Sequence, residues 1–340
     1  MAQDDAYARA GVDIAAGQRA TELMKAAVQA TYDPEVLAGI GAFGGLYDAA
    51  ALKAMAAPVL VASTDGVGTK TKVAARLNRW ETIGQDLVNH CVNDILAQGA
   101  RPLFFLDYVA SSKLDPEQIA TVVTGVAQAC RANGCALLGG ETAEMPGVYE
   151  AGEIDLVGTV VGVVDKGEII DGTAVAPGDL ILALPSTGLH TNGYTLARKL
   201  LDELDWEQPH PDLGQSVGAA LLAVHRSYLR AVLALRAGGV ALHGLAHITG
   251  GGVRDNLPRI LPAGLGATIR RGSWPELPIF KLLQEQGALS TAELFHTFNM
   301  GLGMLIVISP DDLGLAQQIL PGELFIVGDI VAGQTGVTLL

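Results

Sequence analysis

The sequence predicts an α+β, or mixed αβ, protein of two layered domains, and three observations support this. Apolar runs typical of strands alternate with segments whose apolar residues recur at helical spacing, as in helices packed on sheets. A segment rich in Gly, Asp and Lys, residues 165–179, interrupts that alternation. With 340 residues, 49% of them hydrophobic, the chain is long enough for two cores. We therefore predict an amino-terminal domain over residues 1–168 and a carboxyl-terminal domain over residues 169–340.

The amino-terminal domain is predicted to have the order β-α-β-α-β-β after a first helix over residues 17–30. The strands are predicted at residues 59–64, 102–109, 135–138 and 154–164, and the helices at 82–97 and from Pro116 to Asn133. The last two strands are joined by the segment GGETAEMPG rather than by a helix. The sheet should therefore be mixed or antiparallel and not doubly wound.

The carboxyl-terminal domain is predicted to be an αβ sandwich, because helical and strand patterns again alternate after the apolar strand Leu180–Leu184. Helices are predicted near residues 192–204, 216–237, 253–261, 276–286 and 310–320. Strands are predicted near residues 245–248, 265–270, 302–308 and 324–330.

Charge and cysteine content narrow the function classes. The net charge of −14 argues against nucleic-acid binding, because the phosphate backbone would be repelled. The three cysteines form no CxxC pair and lie among apolar residues, which is typical of reduced core thiols in a cytosolic protein. The sequence contains no signal-peptide pattern and no apolar stretch long enough to span a bilayer. We expect a cytoplasmic protein without a membrane partner.

The segment Asp65-Gly66-Val67-Gly68-Thr69-Lys70 is the strongest local indication of phosphate chemistry. It follows the apolar run Val59–Ala62, so a buried strand ends at a carboxylate, which is a hard oxygen ligand for Mg²⁺. Gly66 and Gly68 let backbone N–H groups approach phosphate oxygens, and Lys70 adds a cation. The Walker pattern GxxxxGK[ST] is absent, so a nucleotide site here must be built differently.

Further carboxylates occur in two other segments. Residues 139–147 read GGETAEMPG and place Glu141 and Glu144 directly after an apolar run, which favours a metal-binding loop. In the segment VNDI, Asp94 lies on a predicted helix, where it should face away from the main apolar line together with His90.

Residues 39–44 match GxGxxG, which leaves a dinucleotide-binding fold as an alternative. The segment Thr31–Ala38 before the glycines looks helical, and the next strand comes after them. A βα turn that would hold a pyrophosphate is therefore missing. We favour a mobile glycine loop that closes over a ligand.

The segment Ser186–Tyr194 brings hydroxyls, the imidazole of His190 and the amide of Asn192 to the start of a predicted helix, which is a suitable place for an anion. A plain N-cap by Thr191 or Asn192 is an equally good interpretation and needs nothing from His190.

The segment His247–Gly252 has three consecutive glycines that lead into a predicted helix. Such a run is difficult to justify by structure alone, so we favour phosphate binding. His247 by itself is more often a hydrogen-bonded core histidine than a catalyst.

Seven segments, in one order, resemble the aminoimidazole ribonucleotide synthetase family, also called phosphoribosylformylglycinamidine cyclo-ligase. They are DGVGTK, CVNDI, QGA-x-PLFFLDY, GGETAEMPG, HTNGY, HxTGGG and FNxGxGM, and the resemblance runs from about Tyr7 to the carboxyl end. It implies ATP-dependent ring closure of formylglycinamidine ribonucleotide through a phosphorylated formyl amide, with ATP and Mg²⁺. It also implies a homodimer in which the amino-terminal sheets join into a barrel.

The resemblance also implies roles for individual residues. Magnesium would be held by Asp65, Asp94 and Glu141. ATP would be bound by Lys25, Asp65, Gly66, Gly68, Thr69, Lys70, Gly140 and Glu141. The 5′-phosphate of the substrate would be bound by Thr249, Gly250, Gly251 and Gly252. Proton transfer and orientation of the amide are assigned to His190, Asn192 and His247, and neutralisation of developing charge to Lys70.

Other functions on a related scaffold are separated by local features. Selenophosphate synthesis would need a reactive cysteine near the amino terminus, whereas the first cysteine here is Cys91. A thiamine monophosphate kinase would lack GGETAEMPG in this form, and formylglycinamidine ribonucleotide synthetase is much longer. An inactive nucleotide-binding regulator would be expected to have lost a carboxylate. An NAD-dependent dehydrogenase would depend on residues 39–44 alone.

Overall fold

A computed structural model describes Tyr7 and residues 11–340, and these residues form two compact units. The first unit contains the described residues up to Val92 together with Arg101–Lys166. The second contains Asn93–Ala100 together with Gly167–Leu340. The chain therefore passes from the first unit to the second between Lys166 and Gly167, and an inner segment, Asn93–Ala100, also belongs to the second unit.

The first unit is built on a four-stranded sheet, which is preceded by a two-stranded hairpin. Its strands are β1 (Val36–Ala38), β2 (Leu46–Tyr47), β3 (Pro58–Gly66), β4 (Arg101–Ser111), β5 (Ala136–Glu144) and β6 (Ile154–Asp165). The four-stranded sheet has the order β3-β6-β4-β5. Strand β6 is antiparallel to both of its neighbours, and β4 and β5 are parallel. The sheet is mixed, which confirms the predicted fold class.

The helices of the first unit start and stop where local chemistry favours it. They are Ile14–Gln29, Thr71–Leu77, Ile83–Leu96, whose last turn belongs to the second unit, and Pro116–Ala132. The helix Pro116–Ala132 begins at an N-cap, Asp115, whose carboxylate accepts from the N–H of Gln118, and proline follows it in the first turn.

Two predictions for the first unit were wrong. The segment Thr31–Ala38 is not helical: a turn is followed by β1, and the hydroxyl of Thr31 donates to the carbonyl of Val28 just after the preceding helix ends. The segment GGETAE is not a loop, because residues 139–144 continue β5 beside β4. Two glycines interrupt the apolar pattern there, which hid the strand from periodicity.

The second unit contains a six-stranded sheet and a separate short hairpin. Its strands are β7 (Leu180–Pro185), β8 (Pro209–His210), β9 (Gln215–Ser216), β10 (Leu242–His247), β11 (Leu265–Ile269), β12 (Leu302–Ile308), β13 (Phe325–Ala332) and β14 (Gly336–Leu339). The order of the large sheet is β10-β12-β7-β13-β11-β14, with β8 and β9 forming the hairpin. All neighbours in the large sheet are antiparallel except β11 and β14.

The helices of the second unit are shorter than predicted. They are Tyr194–Leu200, Val217–Leu221, Leu229–Ala237, Gly252–Asn256, Pro278–Gly287, Thr291–Thr297 and Leu313–Ile319. The helix predicted over 216–237 is broken between Leu221 and Leu229. The amide of Asn93 explains the break, because it donates to the carbonyl of Arg226 and accepts from the N–H of Tyr228.

The helix Thr291–Thr297 was not predicted, although the sequence contains its signature. Ser290 and Glu293 form a capping box, in which each side chain bonds the backbone N–H of the other residue. Among the described residues, no helix is long and apolar enough to cross a membrane.

The three cysteines, Cys91, Cys130 and Cys135, are all buried free thiols of the first unit. Burial, together with a hydrogen bond to Cys135, raises the pKa of the Cys130 thiol well above its ordinary value. These side chains therefore act as small apolar core residues.

Candidate active site

A cavity of about 800 Å³ lies within the first unit. Its walls are the helix Ile14–Gln29, the glycine-rich segment Gly39–Gly45, and β5 with its neighbour β4. From β5 it is lined by Gly139, Gly140, Glu141, Thr142 and Glu144, and from β4 by Leu106 and Asp107. This volume lies within the range of small-molecule sites, about 300–1,000 Å³.

The glycine-rich segment connects β1 to β2, which are antiparallel. A short strand therefore does precede the GxGxxG pattern, contrary to the expectation of a helix. A strand also follows it, so the βα turn of a dinucleotide fold is absent, as predicted. The glycines permit close packing: a Cβ on Gly39 would lie 2.0 Å from the hydroxyl of Tyr32, and one on Gly45 would lie 2.3 Å from Leu138.

For Asp107, the sequence alone leaves two interpretations open, a metal ligand or a strand-end cap. Asp107 is half-buried, lines the cavity, and pairs with Gly140 across the sheet. Burial raises the pKa of Asp107 to about 7. A Cβ on Gly140 would lie 2.1 Å from Asp107 Oδ1, so glycine is required there. The available signal was a single carboxylate within the apolar strand LFFLDYV.

Asp65 lies at the end of β3, where Oδ2 is 2.9 Å from His90 Nε2 and Oδ1 accepts from the N–H of Gly66. Glu141 lies on β5, at the opposite edge of the four-stranded sheet. Three strand spacings separate the two strands, which is about 14 Å. The strand order therefore does not bring Asp65 and Glu141 to one ion within a single chain, because Mg²⁺ binds oxygens at about 2.1 Å.

Lys70 does not have the position that its proposed role requires. Its ammonium is fully buried, 2.8 Å from Asp86 Oδ2, and burial lowers its pKa while Asp86 raises it. A cation held in this way cannot also neutralise phosphate in the cavity. Lys25 lies on the helix Ile14–Gln29, and its ammonium is 3.7 Å from Glu22.

Three predicted segments converge in the second unit where neighbouring strands of the large sheet end or begin; we call this side of the sheet the sheet edge of the second unit. Pro185, the last residue of β7, pairs with Leu302 at the start of β12, and His247, the last residue of β10, pairs with Met304. The segments HTNGY, HxTGGG and FNxGxGM therefore all begin or end at this edge.

Asn299 connects these loops. Its Oδ1 accepts from the hydroxyl of Ser186 and the N–H of Gly301, and its Nδ2 donates to the carbonyl of Gly188. A buried amide that makes three hydrogen bonds fixes the loop geometry. The turn also needs a left-handed backbone, with φ of 52° at Met300 and 92° at Gly301.

The two predicted histidines meet a third that no motif indicated. His190 stacks on His225, with ring centroids 3.9 Å apart, and His225 Nε2 lies 3.1 Å from His247 Nε2. His247 Nδ1 lies 2.8 Å from Asp94 Oδ1. All three histidines are buried. Only the fold could reveal His225, since it lies in the break between two helices.

Asn192 and the glycine run are also close, because a Cβ on Gly250 would lie 3.3 Å from Asn192 Oδ1. The N-cap of the helix Tyr194–Leu200 is Gly193 and makes no side-chain bond, so the interpretation of Thr191 or Asn192 as a cap was wrong.

Close packing explains two of the three consecutive glycines, Gly250 to Gly252, and the sequence did not show this. A Cβ on Gly252 would lie 2.1 Å from the carbonyl of Phe295, and one on Gly251 would lie 2.4 Å from Asp255. The N–H of Gly252 donates to the carbonyl of Thr249, so a phosphate cannot rely on that group.

Comparison with known proteins gives consistent matches. Two family models match, "AIR synthase related protein, N-terminal domain" over residues 47–164 and "AIR synthase related protein, C-terminal domain" over residues 176–339. The chain is 50% identical, over 98% of its length and 99% of the relative's, to phosphoribosylformylglycinamidine cyclo-ligase of Desulfitobacterium hafniense.

Two solved structures share the fold at low sequence identity. Thiamine-monophosphate kinase from Stenotrophomonas maltophilia has a TM-score of 0.68 at 20% identity, covering 93% of this chain and 95% of that one. Hydrogenase maturation protein HypE in complex with ATP has a TM-score of 0.68 at 19% identity, covering 96% and 92%. Identity below a quarter supports the likeness of fold alone.

Proposed function

Because the chain belongs to the phosphoribosylformylglycinamidine cyclo-ligase family, we propose that it closes the imidazole ring of formylglycinamidine ribonucleotide at the expense of ATP, in purine biosynthesis in the cytoplasm. The observation that supports this most strongly is 50% identity to a named cyclo-ligase over nearly the whole chain. The formyl oxygen attacks the γ-phosphorus of ATP and ADP leaves. The ribose-bearing nitrogen then attacks the activated carbon, and the oxygen departs with phosphate.

We place ATP in the cavity of the first unit. The segment Gly39–Gly45 and residues Gly140 and Glu141 line it, so that backbone N–H groups at the glycines can approach a triphosphate. Lys25 lies on the helix that forms one wall, outside the residues lining the cavity, and we propose that its long side chain reaches the triphosphate as a cation. HypE, which has the same fold, has been solved in complex with ATP. Gly66 ends β3, and Gly68 and Thr69 follow it in a short 3-10 helix. All three lie outside the residues lining the cavity, so we do not assign them to ATP bound there.

The donor set fits magnesium, which favours carboxylate oxygens and retains phosphate and water ligands. Glu141 is an exposed carboxylate at the cavity. The side chain of Asp65 is 45% exposed at the end of β3, and Asp94 has one oxygen engaged by His247. Given the sheet order, we propose Glu141 as the ligand that serves the cavity. Asp65 belongs to the first unit and Asp94 to the second, and we assign neither of them to the ion in this cavity. When bound, magnesium would neutralise phosphate charge.

The substrate would lie against the sheet edge of the second unit. There, Thr249, Gly250 and Gly251 remain our assignment for its 5′-phosphate. His190, Asn192 and His247 would orient the amide and move protons, with His247 positioned by Asp94.

We further propose a homodimer that pairs through the open face of the four-stranded sheet. Along β3 the side chains alternate between exposed and half-buried, and Leu60 is 63% exposed. Leu106 on β4 is 37% exposed. Large apolar side chains exposed on a sheet face are typical of an interface. A second copy would complete the barrel that the family resemblance implies.

The test is an assay of ADP release from ATP with formylglycinamidine ribonucleotide as the second substrate. We expect ADP release to depend on that substrate and to match, mole for mole, the formation of an aminoimidazole that can be detected by diazotisation. Thiamine monophosphate is the control acceptor, and selenide is a second one. Consumption of ATP with either control, and none with the ribonucleotide, would reject the proposed function.

A further inference from the structure

Three histidines of the second unit, His190, His225 and His247, each bring one ring nitrogen to within 4.8 Å of the others. His190 and His225 are completely buried, and His247 is 6% exposed. Four ligands placed tetrahedrally at the zinc–nitrogen distance are about 3.3 Å apart. The separation of 3.1 Å between His225 Nε2 and His247 Nε2 is close to that value.

Asp94 determines which nitrogen of His247 faces its neighbours. Its Oδ1 lies 2.8 Å from His247 Nδ1, so the ionised carboxylate accepts a proton held on Nδ1. The lone pair of the neutral ring is then on Nε2, the atom that faces His225. A carboxylate behind a histidine is the usual second-shell arrangement of metal-binding imidazoles.

Asn93 determines the tautomer of His225. Its Oδ1 accepts from the N–H of Tyr228, which identifies the other end of the amide as the nitrogen. That nitrogen lies 2.8 Å from the carbonyl of Arg226 and 3.2 Å from His225 Nε2, so it donates to both. His225 Nε2 therefore carries no proton, and its one lone pair, which accepts from Asn93 in this structure, is the lone pair that a bound metal ion would take. The two Nε2 atoms face each other at 3.1 Å, a separation that fits two ligands of one metal ion.

His190 supplies the third ring of the cluster, where its Nε2 accepts from the N–H of Thr187, and its backbone conformation is unusual. Its backbone φ is 62°, in the left-handed region that residues other than glycine rarely adopt. Its ring stacks on that of His225 at an interplanar angle of 17°. Strain of this kind persists where surrounding structure requires it, and it is concentrated at functional sites.

We propose that His190, His225 and His247 form a binding site for a divalent transition-metal ion of the zinc class, with Asp94 as the residue that positions His247. Three imidazole ligands suit Zn²⁺, Co²⁺ and Ni²⁺ rather than magnesium, and leave a fourth position for water. The bound ion occupies the ring nitrogens that the proposed proton transfer uses, so the loaded protein is inactive until the ion is removed. Binding itself is independent of the proposed function.

The test uses full-length protein without a histidine tag, stripped with a chelator and titrated with Co²⁺ alone. We expect saturation at one ion per chain, with the visible ligand-field absorption of four-coordinate cobalt, and loss of that absorption when Zn²⁺ is added. Saturable binding should also raise the thermal midpoint. Absence of saturable binding, or an octahedral cobalt spectrum, would overturn the proposal.

Single substitutions test which side chains bind the cobalt ion. His225→Gln should abolish binding, and Asp94→Asn should weaken it about 10–100-fold. His243→Gln is the matched control, because His243 also pairs with a carboxylate, Asp179, at 2.7 Å but lies outside the cluster. It should bind cobalt like the unsubstituted chain. Equal loss in the control would contradict the assignment.

A second measurement does not depend on variants that fold. Crystals of the unsubstituted protein soaked in Zn²⁺ should show an anomalous scattering peak, at the zinc edge, among the three histidine rings. A peak at another place, or none at saturating zinc, would overturn the proposal.

Discussion

At the scale of single residues, Asp107 makes stability depend on pH. Its pKa is raised to about 7 in the folded protein from an ordinary value of 3.8, because the side chain, although only half-buried by exposed area, loses much of its solvation. The folded state therefore favours the protonated form. That stabilisation is fully present below the unfolded pKa and is lost as the pH rises through 7.

We expect Asp107→Asn, which mimics the protonated form, to match the stability of the unsubstituted chain at pH 4 and to exceed it at pH 8, by on the order of 2 kcal/mol. Urea midpoints at the two pH values measure this. Asp48→Asn is the control, since Asp48 is exposed and accepts a single backbone bond that asparagine also accepts. A pH-independent difference would show that the buried carboxyl does not titrate in this range.

Lys70 and Asp86 form a buried ion pair that sequence reasoning took for phosphate chemistry. Lys70→Met should cost about 3–5 kcal/mol of unfolding free energy, because Asp86 is left buried without its cation. The double variant Lys70→Met/Asp86→Leu should recover most of that loss. Urea denaturation measures both. If the single variant kept full stability and lost only its affinity for ATP, the phosphate role would be restored.

At the scale of elements, the helices Ile83–Leu96 and Pro116–Ala132 pack against each other at Gly84. A Cβ on Gly84 would lie 2.2 Å from the carbonyl of Val122 and 2.4 Å from the backbone nitrogen of Val126. These are backbone atoms of the helix Pro116–Ala132, so they cannot move aside as a flexible side chain can. Gly84 is thus required by packing, although glycine lowers helix propensity.

Gly84→Ala should destabilise the protein by about 1–3 kcal/mol, because the helices must separate. Gly17→Ala is the matched control in the helix Ile14–Gln29, where a Cβ has no heavy atom within 4 Å. There the same substitution should stabilise the protein by about 0.5–1 kcal/mol. Thermal unfolding followed by circular dichroism measures both. Shifts of equal sign would contradict the packing argument.

The sequence revealed elements well where periodicity or caps were clear. Strands β7 and β10 to β13 of the second unit and the helix Pro116–Ala132 lie near their predicted positions, since apolar spacing and the Asp115 cap are local signals. The short strands β8, β9 and β14 were not predicted. The sequence did not reveal elements where hydrogen bonds between distant residues override the local preference for a helix. Hydrogen bonds from Asn93, more than a hundred residues away, break the helix predicted over 216–237, and no pattern within that window could show this.

The same distinction applies to the site. Motifs identified the loops that meet at the sheet edge of the second unit, because glycines and polar residues at strand ends are visible in sequence. They could not identify His225, whose role comes from stacking on His190. They also could not show that β3 and β5 occupy opposite edges of a sheet, which separates Asp65 from Glu141.

At the scale of the whole molecule, the proposed dimer makes a direct prediction. Leu60→Asp places a charge on the exposed face of the four-stranded sheet, where burial in an interface would be costly. Sedimentation velocity should show the unsubstituted chain as a dimer and this variant as a monomer. Leu315→Asp is the control, an exposed leucine on the helix Leu313–Ile319 of the second unit. A dimer that persists in Leu60→Asp would exclude this face.

The three buried thiols allow the opening of one unit to be followed by chemical labelling. All belong to the first unit, and each is shielded from solvent, so an alkylating reagent can reach them only when that unit opens. The labelling rate of the native protein therefore reports the opening of one unit while the other contributes nothing to the signal. A ligand that slows labelling must stabilise the first unit. Slower labelling in the presence of ATP would therefore indicate that the nucleotide stabilises this unit.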